Sequence, residues 1–351
     1  MGQNMLKILN LARWDIIKLR RRWMPWVFLG FIVLNSQLWL WDSYGRYKNV
    51  DVGRVEIRTG PSNAEGGYPT IDISCLDVRE GTVESRLLGV QGEYRQVALQ
   101  EIESLKERCP DILENYDLAL QVFHNDAILP GSLSFGRVTM TVLGCLFVMV
   151  LAAMTMGYEY TWGTARQVLA KGCGRGTFLA AKIVSLMTVV AICYLVIMLG
   201  SCISSLVISY ALTDTGISTD PEQWLKVGVY FFQTMYAMLP YVMLGMFFAI
   251  LTTSASSGIT ISVVFFLIEV ILRQVIAGSL GPDAARILIS VSVSMWMGNT
   301  DLPELNDPSA IYNYLMFFMS AFLPILAYIV IFCGASLWLF HRRDVRPSKS
   351  S

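Results

Sequence analysis

The stretch that decides the fold class is IVSLMTVVAICYLVIMLGSCISSLVI, residues 183–208, which contains no charged side chain. About 20 consecutive apolar residues are enough for a helix to cross the hydrocarbon core of a bilayer, which is roughly 30 Å thick. Further windows of this kind occur along the chain, and with the first they predict six spans: 24–41, 138–158, 183–208, 227–251, 259–277 and 316–340. The sequence therefore predicts an all-α polytopic membrane protein.

The composition of the whole chain agrees with a membrane protein. Its 351 residues are 54% hydrophobic and 15% charged, with a mean hydropathy of +0.51, whereas soluble domains carry about 25% charged residues. The 27 basic residues equal the 27 acidic ones, so we expect no nucleic-acid partner. His124 and His341 lie far apart and outside the apolar windows, which argues against a metal site and against histidine-based catalysis.

Orientation follows from the basic residues next to the spans. Lys and Arg are concentrated in residues 1–25, in residues 166–182 and in the tail 341–351, and such flanks stay in the cytoplasm. We therefore expect both termini inside the cell, with spans 2–6 within residues 134–340. The apolar stretch 284–298 is too short to cross unaided. We interpret it as re-entrant or interfacial, and the alternative is a seventh span.

Two polar segments surround the first span. Residues 1–23 place apolar side chains at helical spacing among basic ones, which predicts an amphipathic interfacial helix, although an ordinary basic flank would look similar. Residues 42–133 are long enough for a small extracellular α/β domain, with a strand in 50–58 and a helical second half broken at Pro110. Cys75 and Cys109 of this domain either form a disulfide or stay as unpaired thiols.

The segment after the second span reads YEYTWGTARQVLAKGCGRGTFLAAKI, residues 158–183. Gly163 and Thr164 can start a helix there and Gly172 can end it. A helix this short cannot bury its own apolar side, so something else must cover it. Its pattern is carried, in order, by Glu159, Gly163, Thr164, Arg166, Leu169, Gly172, Arg175 and Lys182.

This order of residues resembles the corresponding segment in permease subunits of ATP-binding cassette exporters of the type-2 class (ABC-2 type). The resemblance extends to the interfacial helix, the six spans and the short basic tail, and it departs from the family pattern at Cys173 and Gly174. It implies that residues 159–172 form a cytoplasmic coupling helix that docks into a separate ATPase subunit. The coupling residues it implies are Glu159, Gly163, Thr164, Arg166, Leu169, Gly172 and Arg175.

The resemblance also implies the composition of a complex. Two ATPase subunits would bind ATP and Mg, and a second permease, identical or different, would complete the membrane part among the lipids. The chain itself has no Gly-x4-Gly-Lys-Ser/Thr motif, so we expect it to carry no cofactor and no catalytic site. Relatives with a large domain after the first span are often bacterial exporters of peptides, antibiotics or lipids, which implies an amphipathic substrate and a bacterial cell membrane.

Polar residues inside the predicted spans are further candidates for function. Glu269 and Arg273 are four positions apart in the fifth span, on one helix face, where each can offset the desolvation of the other. They either face the translocation path or a subunit interface, or form a structural pair. Asn35, Gln37 and Gln233 have the same two interpretations, the second being hydrogen bonding between helices.

Two other protein classes fit parts of the sequence. A membrane sensor would use the extracellular domain to bind a ligand and the basic loop to signal. A membrane-bound enzyme would need a buried nucleophile beside a base, but no Asp or His lies in a predicted span and Ser201 has no obvious partner.

Overall fold

The computed structural model describes residues 2–59, 69–88, 90, 92–127, 129–212, 221–279, 281, 284–298 and 308–342. Of the predicted tail, residues 343–351 lie outside the described residues. The helices are α1 (Gly2–Arg20), α2 (Trp23–Lys48), α3 (Cys75–Glu80), α4 (Val83–Arg86), α5 (Glu93–Ala127), α6 (Phe135–Thr139), α7 (Cys145–Thr161), α8 (Thr164–Ala170), α9 (Arg175–Leu212), α10 (Pro221–Thr252), α11 (Ala255–Ser279), α12 (Ile289–Gly298) and α13 (Pro308–Arg342). The strands are β1 (Val55–Arg58) and β2 (Thr70–Ile73), Gly131–Ser134 and Ala284–Ile287 are 3₁₀ turns, and Met140–Gly144 is a π-helical turn.

Six helical segments in the described part of the chain are long and apolar enough to cross a membrane. We call them spans 1 to 6, and in order they are Trp23–Lys48, Gly131–Thr161, Arg175–Tyr210, Pro221–Thr252, Ala255–Ser279 and Phe318–Arg342. Each overlaps one of the predicted apolar windows, so the prediction of six apolar helices is confirmed.

Spans 2 and 4 form the centre of the bundle. In each of them 67% of the apolar window is buried inside the chain, against 11% in spans 5 and 6. Glycine allows the close approach, because a Cβ on Gly245 of α10 would lie 2.3 Å from the carbonyl oxygen of Met149 in α7. Likewise a Cβ on Gly157 would lie 2.4 Å from the Cα of Ala255 in α11. Small residues at such crossings are how membrane helices pack without a hydrophobic driving force.

The segment predicted to be re-entrant is a 3₁₀ turn followed by α12, which packs against α10, α11 and α13. The indole N–H of Trp296 donates to the carbonyl oxygen of Gln233 in α10 at 3.0 Å. The ten residues of α12 extend for about 15 Å, which is half of a bilayer core. Entry of this segment into the membrane stays a prediction.

A small domain follows span 1. Strands β1 and β2 pair antiparallel, with Val55 opposite Ile73, and their inner side chains pack on α5 in a separate apolar core. A disulfide joins Cys75 of α3 to Cys109 of α5, with the two Cα atoms 5.3 Å apart. The strand expected within residues 50–58 is thus limited to β1.

The predicted break at Pro110 is wrong, because α5 is one continuous helix from Glu93 to Ala127. Proline removes one backbone donor and crowds the carbonyl four residues earlier, here that of Lys106. That residue is exposed, so water can satisfy its carbonyl. Leu105 before the proline and Ile112 after it pack on the same apolar core, and this shared burial keeps both halves of the helix aligned.

The close packing of spans 2 and 4 can be tested at Gly245. Gly245→Ala places a methyl group against the Met149 carbonyl, and overpacking of this kind lowers the free energy of unfolding by about 1 to 3 kcal/mol. Gly228→Ala is the matched control in the same helix, since a Cβ there meets nothing within 4 Å. We expect thermal unfolding of the purified protein to occur at lower temperature only for Gly245→Ala. Equal unfolding temperatures for the two variants would contradict the packing.

Candidate functional site

Four charged side chains from three helices meet next to α8. The ammonium of Lys182 in α9 lies 2.7 Å from Asp15 Oδ1 of α1 and 2.8 Å from Glu159 Oε1 of α7. The ammonium of Lys18 approaches the same Glu159 oxygen at 3.1 Å. We call Asp15, Lys18, Glu159 and Lys182 the ion cluster.

The ion cluster is largely withdrawn from solvent. Lys182 is 3% exposed and Glu159 is 5% exposed, while Lys18 is about half-exposed at the edge. Burial raises the pKa of Asp15 above its ordinary value, although the neighbouring Lys182 acts to lower it. Removing one member of a buried ion pair costs about 3 to 5 kcal/mol, because the other charge is left without compensation. The cluster therefore holds α1, α7 and α9 together at this end of the bundle.

The start of α8 is attached to the ion cluster. Thr164, the first residue of α8, donates its hydroxyl hydrogen bond to Glu159 Oε2. Gly163 has a φ of 68°, in the left-handed region that favours glycine, and it lets the chain turn from α7 into α8. The carboxylate of Glu159 thus joins the base of α8 to Lys182.

One side of α8 is exposed and the other lies on the bundle. Ala165 is buried, and Leu169 packs partly buried against the main core. Arg166 is exposed, so a basic group lies on the outward side of the helix. This arrangement offers a short, anchored helix with a basic outer surface to a partner.

The other residues predicted for coupling have different surroundings. Glu159 is too buried to contact a partner directly, and its contacts are with Lys182 and Thr164. Gly172 lies in an exposed turn after α8 with a φ of 79°. Arg175 donates from Nη1 to the carbonyl oxygens of Phe340 at 2.7 Å and His341 at 2.5 Å. A cation at those last carbonyls stabilises the end of span 6.

The Arg22 side chain and the rings of Tyr158 and Trp162 form a further contact near the ion cluster. The guanidinium carbon of Arg22 lies 4.1 Å from the ring centroid of Tyr158 and 4.7 Å from that of Trp162. The two rings stack with their centroids 5.0 Å apart. Contacts between Arg and aromatic faces are favourable, so the start of span 1 is also tied to the end of span 2.

Glu269 and Arg273 have different hydrogen-bond partners in the described part of the chain. Glu269 is buried, and its Oε1 accepts the backbone N–H of Ser290 at 2.6 Å. The Arg273 side chain is exposed and reaches the Ser294 hydroxyl at 3.5 Å. A carboxylate is stabilised at a helix start by free N–H groups and the helix dipole. Glu269 therefore ties span 5 to the start of α12.

The remaining polar candidates lie at contacts between helices or near them. Gln37 of span 1 accepts a hydrogen bond from the hydroxyl of Ser204 in span 3. The backbone carbonyl of Gln233 accepts from Trp296, as described above. Asn35 is partly buried on α2. For Gln37 these contacts agree with the interpretation as hydrogen bonding between helices.

Neither Asp15 nor Lys18 is among the site residues that the sequence predicts. Lys18 belongs to the polar side of the predicted amphipathic helix, and Asp15 has no assigned role there. A signal was present, because Asp15 is the only acidic residue before Asp42, and it lies one helical turn from the apolar residues Ala12 and Leu19. An acidic residue on the apolar side of a helix needs a buried partner, here Lys182.

Removing the central cation tests the ion cluster. Lys182→Met leaves the Asp15 and Glu159 carboxylates facing each other, and we expect the free energy of unfolding to fall by about 3 to 5 kcal/mol. Adding Asp15→Asn and Glu159→Gln removes the uncompensated charges and should restore much of the loss. Lys171→Met, at an exposed lysine of the same segment, is the control. Equal unfolding temperatures for Lys182→Met and Lys171→Met would contradict this role of Lys182.

A match to a known protein family covers most of the chain. Residues 9–345 match the family described as "ABC-2 family transporter protein", and this range contains the ion cluster, α8 and all six spans. A search of curated proteins finds no match. The family and the six apolar helices agree on a multi-pass membrane protein with the role of a permease. The chain therefore belongs to the ABC-2 family of transporter proteins.

Proposed function

We propose that this chain is the membrane-spanning permease of an exporter driven by two separate ATPase subunits, and that α8 is its coupling helix. The observation that carries the proposal is the attachment of α8, whose base is joined through Glu159 to the buried Lys182. Its outward Arg166 is free to meet an acidic surface. A short helix with an exposed outer side and a rigid base suits the transfer of force from a partner.

The ion cluster gives the coupling helix a mechanical connection to the bundle. A push on α8 reaches Glu159 through Thr164 and then reaches α9 and α1 through Lys182 and Asp15. Separating these buried charges costs more than moving the helices together. Closure of the ATPases therefore shifts α1, α7 and α9 as one body, and Arg175 brings the end of span 6 with them.

The orientation we propose puts α8 and both termini in the cytoplasm and the small domain outside the cell. Basic residues accumulate at the end of the bundle that carries α8, as expected of cytoplasmic flanks. The Cys75–Cys109 disulfide lies in the small domain, and disulfides persist in oxidising compartments outside the cytoplasm. The two arguments are independent and agree on this orientation, and the membrane we propose is a bacterial cell membrane.

The membrane part includes a second permease subunit and surrounding lipids. Only 11% of the apolar window is buried in spans 5 and 6, and 17% in span 1. A large apolar surface on these spans is therefore left for lipid or another subunit to cover. A second copy or a related chain beside these spans would enclose a path for an amphipathic substrate such as a peptide, an antibiotic or a lipid. ATP and Mg are bound by the ATPase partners.

Charge reversal on the coupling helix tests the proposal. Arg166→Glu opposes an acidic docking surface, and we expect the ATPase activity that co-purifies with the tagged chain to fall by about tenfold or more. Lys106→Glu, at an exposed lysine of the small domain, is the control and should leave it unchanged. Co-purification of no ATPase at all would overturn the proposal and favour the membrane sensor.

Cys173 offers a test of the orientation. This native thiol is partly exposed just after α8, while Cys145 and Cys193 are buried. A maleimide that cannot cross membranes should label Cys173 only after the cells are permeabilised. Cys173→Ser is the control that identifies the labelled site. Labelling of Cys173 in intact cells would place α8 outside and contradict the proposed orientation.

A further inference from the structure

A buried arginine lies at the end of the bundle opposite α8. Arg137 of α6 is 4% exposed, and its Nε has no hydrogen-bond partner in the described part of the chain. Its guanidinium carbon lies 3.9 Å from the ring centroid of Tyr230 in α10. Among the described residues, Arg137 forms no ion pair, and the aromatic face of Tyr230 is its main neighbour. A charge held this way inside a membrane protein is costly, and such residues mark functional sites.

Arg137 lines a cavity of about 350 Å³ between span 2 and α12. The cavity also has hydroxyl groups in its wall, and the other lining residues are Ser134, Val138, Thr141, Val142, Ser294, Met297 and Gly298. Val138 and Val142 are more than half exposed on the lateral surface of span 2. The cavity therefore adjoins the surface that lipid covers, with one cation in its wall and aliphatic side chains beside it.

The chemistry of these groups selects the ligand. A guanidinium presents a planar fork of donors that matches the oxygens of a phosphate or a carboxylate. Contact with the Tyr230 ring at 3.9 Å restricts the Arg137 side chain, so less side-chain entropy is lost on binding. The exposed valines offer an apolar track to a hydrocarbon chain. A free anion would use only the guanidinium, whereas an anionic amphiphile would use both the guanidinium and the apolar track.

We propose that this cavity binds an amphiphile through its phosphate or carboxylate group on Arg137, with the apolar chain along Val138 and Val142. The inference rests on the proposed function as a permease and deepens it, because it assigns an anionic amphiphile as the class of molecule taken up from the membrane. The site lies at the end of the bundle that we place outside the cell, where an exporter holds its substrate before release.

Lipid retention tests the proposal on the full-length chain. The protein is reconstituted in nanodiscs of equal parts phosphatidylglycerol and phosphatidylcholine, and the lipids that stay bound are counted by native mass spectrometry. We expect wild type to retain phosphatidylglycerol in preference to phosphatidylcholine. Arg137→Gln should lower that retention by about tenfold or more, since it removes charge-assisted hydrogen bonds. Arg137→Lys, which keeps the charge but loses the fork, should give an intermediate value.

Two further variants separate binding from folding. Val138→Trp fills the cavity and leaves the arginine in place, so it should lower retention of phosphatidylglycerol as well. Arg46→Gln, at an exposed arginine in the same half of the protein, is the control and should retain it as wild type does. Retention by Arg137→Gln equal to that of wild type would overturn the proposal.

A third arm distinguishes an amphiphile from a free anion. Inorganic phosphate is added at millimolar concentration, and we expect it to leave the retained phosphatidylglycerol in place, because it lacks the apolar chain. Displacement by phosphate, together with equal retention of the two lipids, would overturn the assignment of an amphiphile. The measurement needs no ATPase subunit, so a failure here and a failure to co-purify an ATPase are separate results.

Discussion

The ammonium of Lys182, held between the carboxylates of Asp15 and Glu159, is the interaction on which the α8 end of this permease depends. Along the chain, Asp15 is 167 positions from Lys182 and Glu159 is 23 positions from it. Because water is largely excluded there, the charges interact strongly and none of them can leave without a large loss. The N-terminal helix is therefore a structural part of the bundle.

Glycine contacts extend this rigidity from the ion cluster into the bundle. Span 2 carries Glu159 near its end. Its backbone approaches that of span 5 closely at Gly157 and that of span 4 closely at Gly245 of span 4. Close-packed backbones transmit a displacement with little loss, since the interior cannot be compressed easily. Spans 5 and 6 have mostly exposed apolar surfaces, so the same fold has a stiff centre and outer helices available to lipid or to a second subunit.

The surroundings of the buried charges differ between the two ends of the bundle. Next to α8 the charges are paired and hold helices together, as expected of a structural connection. At the other end, Arg137 lies against an aromatic ring and beside a cavity, which suits a ligand. Between them, Glu269 accepts the backbone N–H of Ser290 at the start of α12 and so ties a short helix to span 5. The three arrangements differ in the partner that each charge has among the described residues.

The sequence by itself determined the six apolar helices, the short helix at residues 164–170 and the resemblance to ABC-2 permeases. Hydropathy, glycine turns and helix starts act over a few neighbouring residues, so they can be read along the chain. Tertiary structure alone decided that Pro110 lies within a helix, that Asp15 meets Lys182 and that Glu269 meets Ser290. It also decided between the disulfide and the free thiols that the sequence left open. The physical reason is that these outcomes depend on burial and on partners distant in the chain, which no local pattern specifies.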